Sequence, residues 1–202
     1  MAHIINFTSK KHGVGTSTMA SLVALKLSQH YSVLLVDDSQ SRDTYITFGL
    51  TDLETPRWVN NNLELVYREM LNGLEKPIAF DFIIVDSGIG GLRPQLRNEN
   101  DLYTTCIVTD NSYIALSKTV KEWHWADRKE CLHICIIDPN RPLDEKDCAN
   151  VLVGPNTVTV KRSDRVGRMQ DASTISATFN NEWVSSYTDD IINSILSITT
   201  TK

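Results

Sequence analysis

The sequence predicts an α/β fold with a mostly parallel, twisted sheet covered by helices on both faces. Short apolar runs alternate with amphipathic stretches of helical length, as in successive β–α–β units. The runs are apolar at nearly every position, as in residues 33–36 and 82–85, which is typical of strands buried on both sides. A glycine-rich segment joins the first apolar run to the first helical stretch. Together these patterns indicate a doubly covered sheet with a tight loop after its first strand.

We predict six strands and six helices in chain order. The strands are expected at residues 4–8, 32–36, 80–85, 102–109, 132–137 and 158–161. The helices are expected near residues 18–30, 61–74, 112–125, 143–150, 163–172 and 181–198. Residues 50–62, which include Pro56 and three consecutive asparagines, form the predicted long surface loop.

Size and composition predict a single domain over residues 1–202. A chain of 202 residues with 41% hydrophobic and 22% charged residues is ordinary for a globular protein and can bury a substantial core. The net charge of −5 excludes a surface that is basic overall but is compatible with a local basic patch. The sequence has no signal-peptide pattern and no apolar run that could span a bilayer. We therefore expect a cytoplasmic protein with reduced cysteines and no membrane partner.

The segment after the first strand has the pattern of a phosphate-binding loop. In the usual form, G-x-x-x-x-G-K-[ST], the lysine reaches the outer phosphates and the next hydroxyl binds Mg²⁺. Here Thr16 stands at the lysine position, whereas Ser17 keeps the hydroxyl. The glycines allow backbone N–H groups to surround phosphate oxygens at the helix N-terminus. The predicted nucleotide-binding residues are Lys11, Gly13, Val14, Gly15, Thr16, Ser17 and Thr18.

Acidic residues at two strand ends support a nucleotide site. Asp37 and Asp38 follow one buried strand, and Asp86 follows another. Ligands of open α/β sheets bind outside the carboxyl ends of strands, so we expect these carboxylates beside the loop. One carboxylate can hold Mg²⁺ and a second can orient an attacking water. An aspartate at a strand end can also simply cap the next helix or turn, but two of them beside a glycine-rich loop favour the nucleotide site.

The order and spacing of these blocks resemble the ParA/MinD family of deviant Walker ATPases. The loop is similar to the family's K-G-G-x-G-K-[ST]-[ST] at Lys11, Gly13, Gly15, Ser17 and Thr18, with His12 replacing a glycine and Thr16 replacing the loop lysine. Residues 33–40 resemble the switch segment V-L-L-I-D-x-D-P-Q, with Asp37 at the first aspartate and Ser39 at the second. Residues 80–87 resemble the Walker B strand Y-D-Y-V-I-I-D-x, with Asp86 as its acidic residue. Residues 106–116 resemble the strand, turn and helix that follow it.

The resemblance implies a three-layer P-loop NTPase fold and an ATP- and Mg²⁺-dependent homodimer, in which Lys11 reaches the partner's nucleotide. It assigns Lys11, Asp37 and Asp38 to catalysis, and Ser17, Asp37 and Asp86 to the metal. It also implies a partner of ParB or adaptor type, non-specific DNA as a candidate ligand, and a role in partitioning or positioning cargo. Non-lysine loops of this kind also resemble those of CpaE/TadZ-type localisation proteins and of ParA-like proteins of mobile elements.

Two departures from the family pattern bear on activity. Replacing the loop lysine with Thr16 removes a charge-assisted contact and positive charge from a phosphoryl-transfer transition state. Ser39 removes the second switch aspartate. We therefore expect nucleotide binding with slow or absent hydrolysis. A non-hydrolysing scaffold is the alternative, and a small-molecule kinase is disfavoured by the missing lysine and the lack of an acceptor-site motif.

Three further patterns have ordinary explanations beside functional ones. Arg162, Arg165 and Arg168 recur at spacing three and would suit DNA phosphates or an acidic partner, although a solvated helix surface is favoured. The resemblance to the ParA/MinD family adds a third option, a place beside the adenine. Cys131, His133 and Cys135 alternate along a strand, but no second ligand pair accompanies them, which favours buried thiols over zinc.

The last amphipathic stretch predicts a core-packing helix, because it carries acidic residues where a membrane-targeting helix needs basic ones.

Overall fold

A computed structural model describes the chain at residues 2–39, 41–50, 57–69, 80–89, 101–123, 131–152, 156–164, 166 and 182–200. Its strands are β1 (His3–Ser9), β2 (Val33–Asp37), β3 (Arg57–Asn60), β4 (Leu63–Tyr67), β5 (Phe82–Ile89), β6 (Leu102–Asp110), β7 (Cys131–Ile137) and β8 (Thr157–Lys161). Its helices are α1 (Thr16–Leu27), α2 (Asp43–Thr47), α3 (Tyr113–Trp123), α4 (Glu145–Val151) and α5 (Glu182–Thr200).

The strands form one sheet in the order β3-β4-β2-β5-β1-β6-β7-β8. Each neighbouring pair is parallel except β3 and β4, which are antiparallel. The register places Asp37 of β2 opposite Asp86 of β5, and Asp86 opposite Phe7 of β1. The carboxyl ends of the central strands therefore meet at the edge where the loop after β1 begins, as predicted.

The central strands of the sheet are buried on both faces. Every residue of β1 is buried. Ile5 and Phe7 pack into the largest core cluster with residues of α1 and α5, whereas Ile4 packs with Leu34 and Val36 on the opposite face. The predicted three-layer α/β architecture is therefore confirmed.

The last helix packs into the core as predicted. Ile191 and Ile195 of α5 are buried in the same cluster as α1. Among the described residues, no helix has both the length and the apolar character needed to cross a bilayer.

The sequence prediction was wrong at one helix and incomplete nearby. Residues 61–74 were expected to be helical, but Leu63–Tyr67 form β4, and Arg57–Asn60 of the predicted loop form β3. The apolar residues of this short run fit a helical and an extended period equally well. Pairing with the already buried β2 decides the outcome, since it buries Leu63, Leu65 and Val66 together. The short helix α2 was not predicted, and most of the helix expected near residues 163–172 lies outside the described residues.

Candidate functional site

Two glycines shape the loop between β1 and α1. Gly13 and Gly15 have φ angles of +72° and +92°, in the left-handed region that disfavours other residues. A Cβ added to Gly15 would also lie 3.0 Å from Cδ1 of Ile136 on β7. Position 15 therefore requires glycine for its backbone conformation, and a larger residue would also have to displace the end of the Ile136 side chain.

The N-terminus of α1 carries polar groups that a ligand can satisfy. No side chain caps this helix terminus, and its first turn contains no acidic residue. The hydroxyl of Thr18 is buried and finds no hydrogen-bond partner among the described residues. A buried hydroxyl without a partner costs about 1–3 kcal/mol, and a helix N-terminus favours anions. The loop and Thr18 therefore fit the phosphates of a nucleotide.

A cleft of about 130 Å³ opens beside this loop. The loop and the first residues of α1 form one wall, and the ends of β6 and β7 with the segments that follow β7 and β8 form the other. The residues lining it are Gly13, Val14, Gly15, Thr18, Met19, Asp110, Ile136, Asp138, Arg141, Arg162, Ser163 and Val166. It thus combines apolar surface with a charged rim.

Five alternating charges form a chain of ion pairs, and four of them line the cleft, whereas Lys11 does not. Lys11 Nζ lies 3.0 Å from Asp110 Oδ2, and Arg141 Nη1 lies 3.0 Å from Asp110 Oδ1. Arg141 Nε is 3.7 Å from Asp138 Oδ2, and Arg162 Nη1 lies 2.8 Å from that same oxygen. Burial alone would raise the pKa of Asp110, but hydrogen bonds from Ser112 and Lys11 and the charge of Arg141 lower it. Asp110 is therefore ionised at neutral pH and holds two cations.

Asp86 and Ser17 lie together beside the loop. The hydroxyls of Ser17 and Thr44 donate to the Asp86 carboxylate, the latter at 2.8 Å. Burial raises the pKa of Asp86 in spite of these hydrogen bonds. One carboxylate and one hydroxyl are oxygen ligands of the kind Mg²⁺ takes, with waters and phosphate oxygens completing its shell. In the described part of the chain, no three His, Cys, Asp or Glu side chains group around a metal position.

Asp37 organises the turn between β2 and α2. Its Oδ1 accepts hydrogen bonds from the backbone N–H and the hydroxyl of Ser39, at 3.0 and 2.6 Å. Its Oδ2 accepts from the backbone N–H groups of Thr44 and Tyr45, at 3.1 and 3.3 Å. Burial raises its pKa to about 6, as does the charge of Asp86, while the hydrogen bonds from Ser39 act in the opposite direction. In this structure Asp37 has the helix-capping arrangement that the sequence offered as the alternative to a metal ligand.

The neighbouring switch residues are also engaged in contacts within the chain. Asp38 accepts two hydrogen bonds from Nη1 of Arg68, at 2.8 and 3.1 Å. The Ser39 hydroxyl accepts from the backbone N–H of Asp43 at 3.2 Å. Neither Asp37 nor Asp38 lines the cleft. Their catalytic roles stay predictions.

The remaining sequence candidates divide between the cleft and the core. Arg162 lines the cleft, whereas Arg165 and Arg168 lie outside the described residues. Cys131, His133 and Cys135 are buried in β7. Burial lowers the pKa of His133 to about 3 and raises that of Cys135. The prediction of buried thiols is therefore confirmed.

Sequence reasoning missed three residues of the charged rim, namely Asp110, Asp138 and Arg141. Asp110 ends β6, and Asp138 follows β7 directly. The signal that identified Asp37 and Asp86, an acidic residue after an apolar strand, was therefore present at both positions. Arg141 had no comparable signal, since it reaches the cleft through a turn after β7.

A second, more open groove of about 500 Å³ lies between β8 and α5. It is lined by Thr157, Val158, Thr159, Asp190, Asn193, Ser194 and Ser197. Although it is larger than the cleft, it contains none of the loop residues, and Asp190 is the charged residue among the described ones that line it. We therefore assign the candidate site to the cleft at the loop.

Comparison with solved structures identifies proteins with the same fold. A plasmid partition protein of Borrelia burgdorferi B31, bound to AMPPNP, aligns with a TM-score of 0.66 at 18% identity, over 98% of this chain and 99% of that one. The cell division ATPase MinD of Pyrococcus furiosus aligns with a TM-score of 0.73 at 15% identity, over 98% and 100%. The septum site-determining protein MinD of Pyrococcus horikoshii OT3, complexed with Mg-ADP, aligns with a TM-score of 0.67 at 15% identity, over 89% of each chain. No protein-family model and no curated protein matches the sequence.

Proposed function

We propose that this chain is a ParA/MinD-like switch that binds ATP with Mg²⁺, dimerises and helps to partition or position DNA or another macromolecular cargo, with weak or absent hydrolysis. The observation that carries the proposal is the unpartnered Thr18 hydroxyl, buried in a cleft beside two glycines with positive φ. Because Thr18 lies at the cleft, a ligand that enters the cleft can supply the hydrogen-bond partner that its hydroxyl lacks. A phosphate oxygen at the N-terminus of α1 supplies that partner.

The proteins of similar fold support this assignment. One is a plasmid partition protein bound to AMPPNP, and another is a septum site-determining protein complexed with Mg-ADP. Both align over nearly nine-tenths or more of their own length. A nucleotide in the cleft of this chain would meet the loop and the first residues of α1.

The residues present divide the proposed tasks between them. The loop from Gly13 to Thr18 would hold the phosphates, and Ser17 with Asp86 would hold Mg²⁺, which neutralises phosphate charge. Asp37 would meet the metal only by exchanging hydrogen bonds that it now accepts from α2. Lys11 would contact the nucleotide of a partner subunit once its ammonium has separated from Asp110.

Weak hydrolysis is expected from the residues at three positions near the loop, namely Thr16, Asp38 and Ser39. Thr16 provides no charge for the transition state, and Ser39 provides no carboxylate for the attacking water. Asp38 is held by Arg68 in a two-contact ion pair. The described residues beside the loop therefore favour retaining a nucleotide over cleaving it.

The alternative function is a non-hydrolysing scaffold or localisation protein that acts through protein contacts. The contact between Lys11 and Asp110 favours it, because a lysine held within its own chain is withdrawn from a partner's nucleotide. In either case the proposed setting is the cytoplasm, with a partner of ParB or adaptor type and non-specific DNA as a candidate ligand.

The test combines calorimetric titration with Mg-ATP and a phosphate-release assay. We expect saturable ATP binding and phosphate release no faster than in a reaction without protein, or only slightly faster. ATP binding with rapid turnover would contradict the weak-hydrolysis part of the proposal. No binding at millimolar ATP would contradict the switch and favour the scaffold.

A further inference from the structure

The loop has no cation at the position next to the N-terminus of α1 where the sequence pattern places a lysine. Thr16 is only 7% exposed and stands where the sequence pattern places a lysine. Phosphates that enter a partly buried site need a compensating positive charge, because desolvation of an unpaired anion is costly. Beside the Mg²⁺ proposed above, that charge has to come from a side chain other than Thr16, and Lys11 at the start of the loop is already paired with Asp110.

Arg141 and Arg162 are the cationic residues among the described ones that line the cleft with the loop. They differ in exposure. The Arg141 side chain is 29% exposed and pairs with Asp110 and Asp138, whereas that of Arg162 is 57% exposed and pairs with Asp138. Arg141 is thus the more enclosed cation, and it shares the carboxylate of Asp110 with Lys11.

The turn that carries Arg141 is firmly held. The side-chain amide of buried Asn111 donates to the backbone oxygen of Asp138 at 2.9 Å, and its oxygen accepts from the Asp138 N–H at 3.0 Å. The backbone N–H of Arg141 in turn donates to the Asp138 oxygen at 3.1 Å. Pro139 and Pro142 on either side restrict the backbone further. The base of the Arg141 side chain is therefore fixed next to the cleft.

We propose that Arg141 supplies, from the turn after β7, the positive charge that Thr16 lacks, by contacting the phosphate chain of a nucleotide bound in the cleft. Asp110 acts as an internal anion that holds the guanidinium until phosphate replaces it. A guanidinium suits this exchange because its planar N–H groups pair equally well with carboxylate and phosphate oxygens. The inference rests on the proposed nucleotide binding.

The test compares wild-type protein with Arg141→Gln and Arg141→Lys in calorimetric titrations with Mg-ATP and with adenosine. We expect Arg141→Gln to weaken ATP binding about 10- to 100-fold, the range for a charge-assisted hydrogen bond, and to leave adenosine binding unchanged. Arg141→Lys, which keeps the charge but loses the planar fork, should weaken ATP binding about three- to tenfold. Lys146→Gln on the exposed surface of α4 is the matched control and should bind as wild type.

The outcomes separate this inference from the proposed function. Wild-type protein that binds no ATP contradicts the proposed function itself. If the wild-type protein binds ATP, two results for Arg141→Gln overturn the role of Arg141. One is an unchanged affinity for ATP, and the other is an affinity for adenosine that falls as much as the affinity for ATP. If Arg141→Gln does not fold, Arg141→Lys decides in the same way. The proposal is overturned if this variant binds ATP as tightly as wild type does, or if its affinities for ATP and adenosine fall equally.

Discussion

The ammonium of Lys11 lies 3.0 Å from the carboxylate of Asp110 in the same chain. Lys11 stands where the sequence resembles the signature lysine of a dimerising ATPase. The Lys11 side chain is 31% exposed and that of Asp110 is 8% exposed, so the ion pair is only partly screened by solvent. Any contact between Lys11 and a second subunit therefore competes with a contact that already exists inside the monomer.

Asp110→Asn should strengthen ATP-dependent self-association by releasing Lys11. We expect the dimer dissociation constant to fall about fivefold, which corresponds to ~1 kcal/mol for a partly exposed ion pair. Analytical ultracentrifugation in the presence of Mg-ATP measures this shift. Asp190→Asn, at an exposed position on α5, is the matched control. Weaker association of a correctly folded Asp110→Asn protein would show that Asp110 supports the dimer instead of opposing it.

Thr18→Val should stabilise the ligand-free protein but weaken its binding of ATP. Removing a buried hydroxyl that has no partner in the described structure should raise the free energy of unfolding of the ligand-free protein by about 1 kcal/mol. The same change should weaken ATP binding about tenfold, because a phosphate contact is lost. Denaturant unfolding and calorimetry measure the two effects.

Ser21→Ala provides the control for that experiment. Ser21 lies on the same helix, is fully buried and also finds no hydrogen-bond partner among the described residues, but it does not line the cleft. We expect a similar gain in stability with unchanged ATP affinity. If Thr18→Val binds ATP as tightly as Ser21→Ala does, the Thr18 hydroxyl is not a ligand contact.

Thr16→Lys should strengthen nucleotide binding by restoring the loop cation. We expect ATP affinity to rise about tenfold, the lower end of the range for a charge-assisted contact, because a lysine at this buried position also loses hydration. Calorimetry against wild type measures the change. A folded variant with unchanged affinity would mean that position 16 is not the lysine position of the loop.

Asp37 should make stability fall as the pH rises. Its pKa is about 6 in the folded protein and 3.8 as an ordinary carboxyl, so the folded state binds more protons between these values. Its contribution is therefore fully present below about pH 4 and is lost through pH 6, a change of ~3 kcal/mol. The test is the unfolding free energy of wild type minus that of Asp37→Asn, measured in EDTA from pH 4 to 7. We expect this value to fall as the pH rises, and a value that stays constant or increases would contradict the raised pKa.

The fold was predictable because its strongest signals are local. The six predicted strands all exist, since runs such as residues 33–36 can be buried on both faces only within a covered sheet. Leu63–Tyr67 could not be assigned in this way. Its five residues carry no decisive period, and its strand conformation depends on pairing with β2, which is distant in sequence.

The site was predictable to a smaller extent. The glycine pattern identified the loop, and the strand-end rule placed Asp37 and Asp86 side by side, which their register confirms. The sequence could not show that both carboxylate oxygens of Asp37 accept hydrogen bonds within the β2–α2 turn, because capping and metal binding require the same residue in the same place. Nor could it show that Arg141 meets Asp110, since that contact depends on the turn held by Asn111.

The central claim, a cleft that holds ATP and couples it to dimerisation, is tested most directly by one titration. Mg-ATP is added to the wild-type protein in a calorimeter, and light scattering is recorded on the same samples. We predict saturable heat together with a rise of the weight-average mass from one chain of 22.8 kDa toward twice that value. If neither heat nor a change of mass is detected at millimolar ATP, the claim is contradicted.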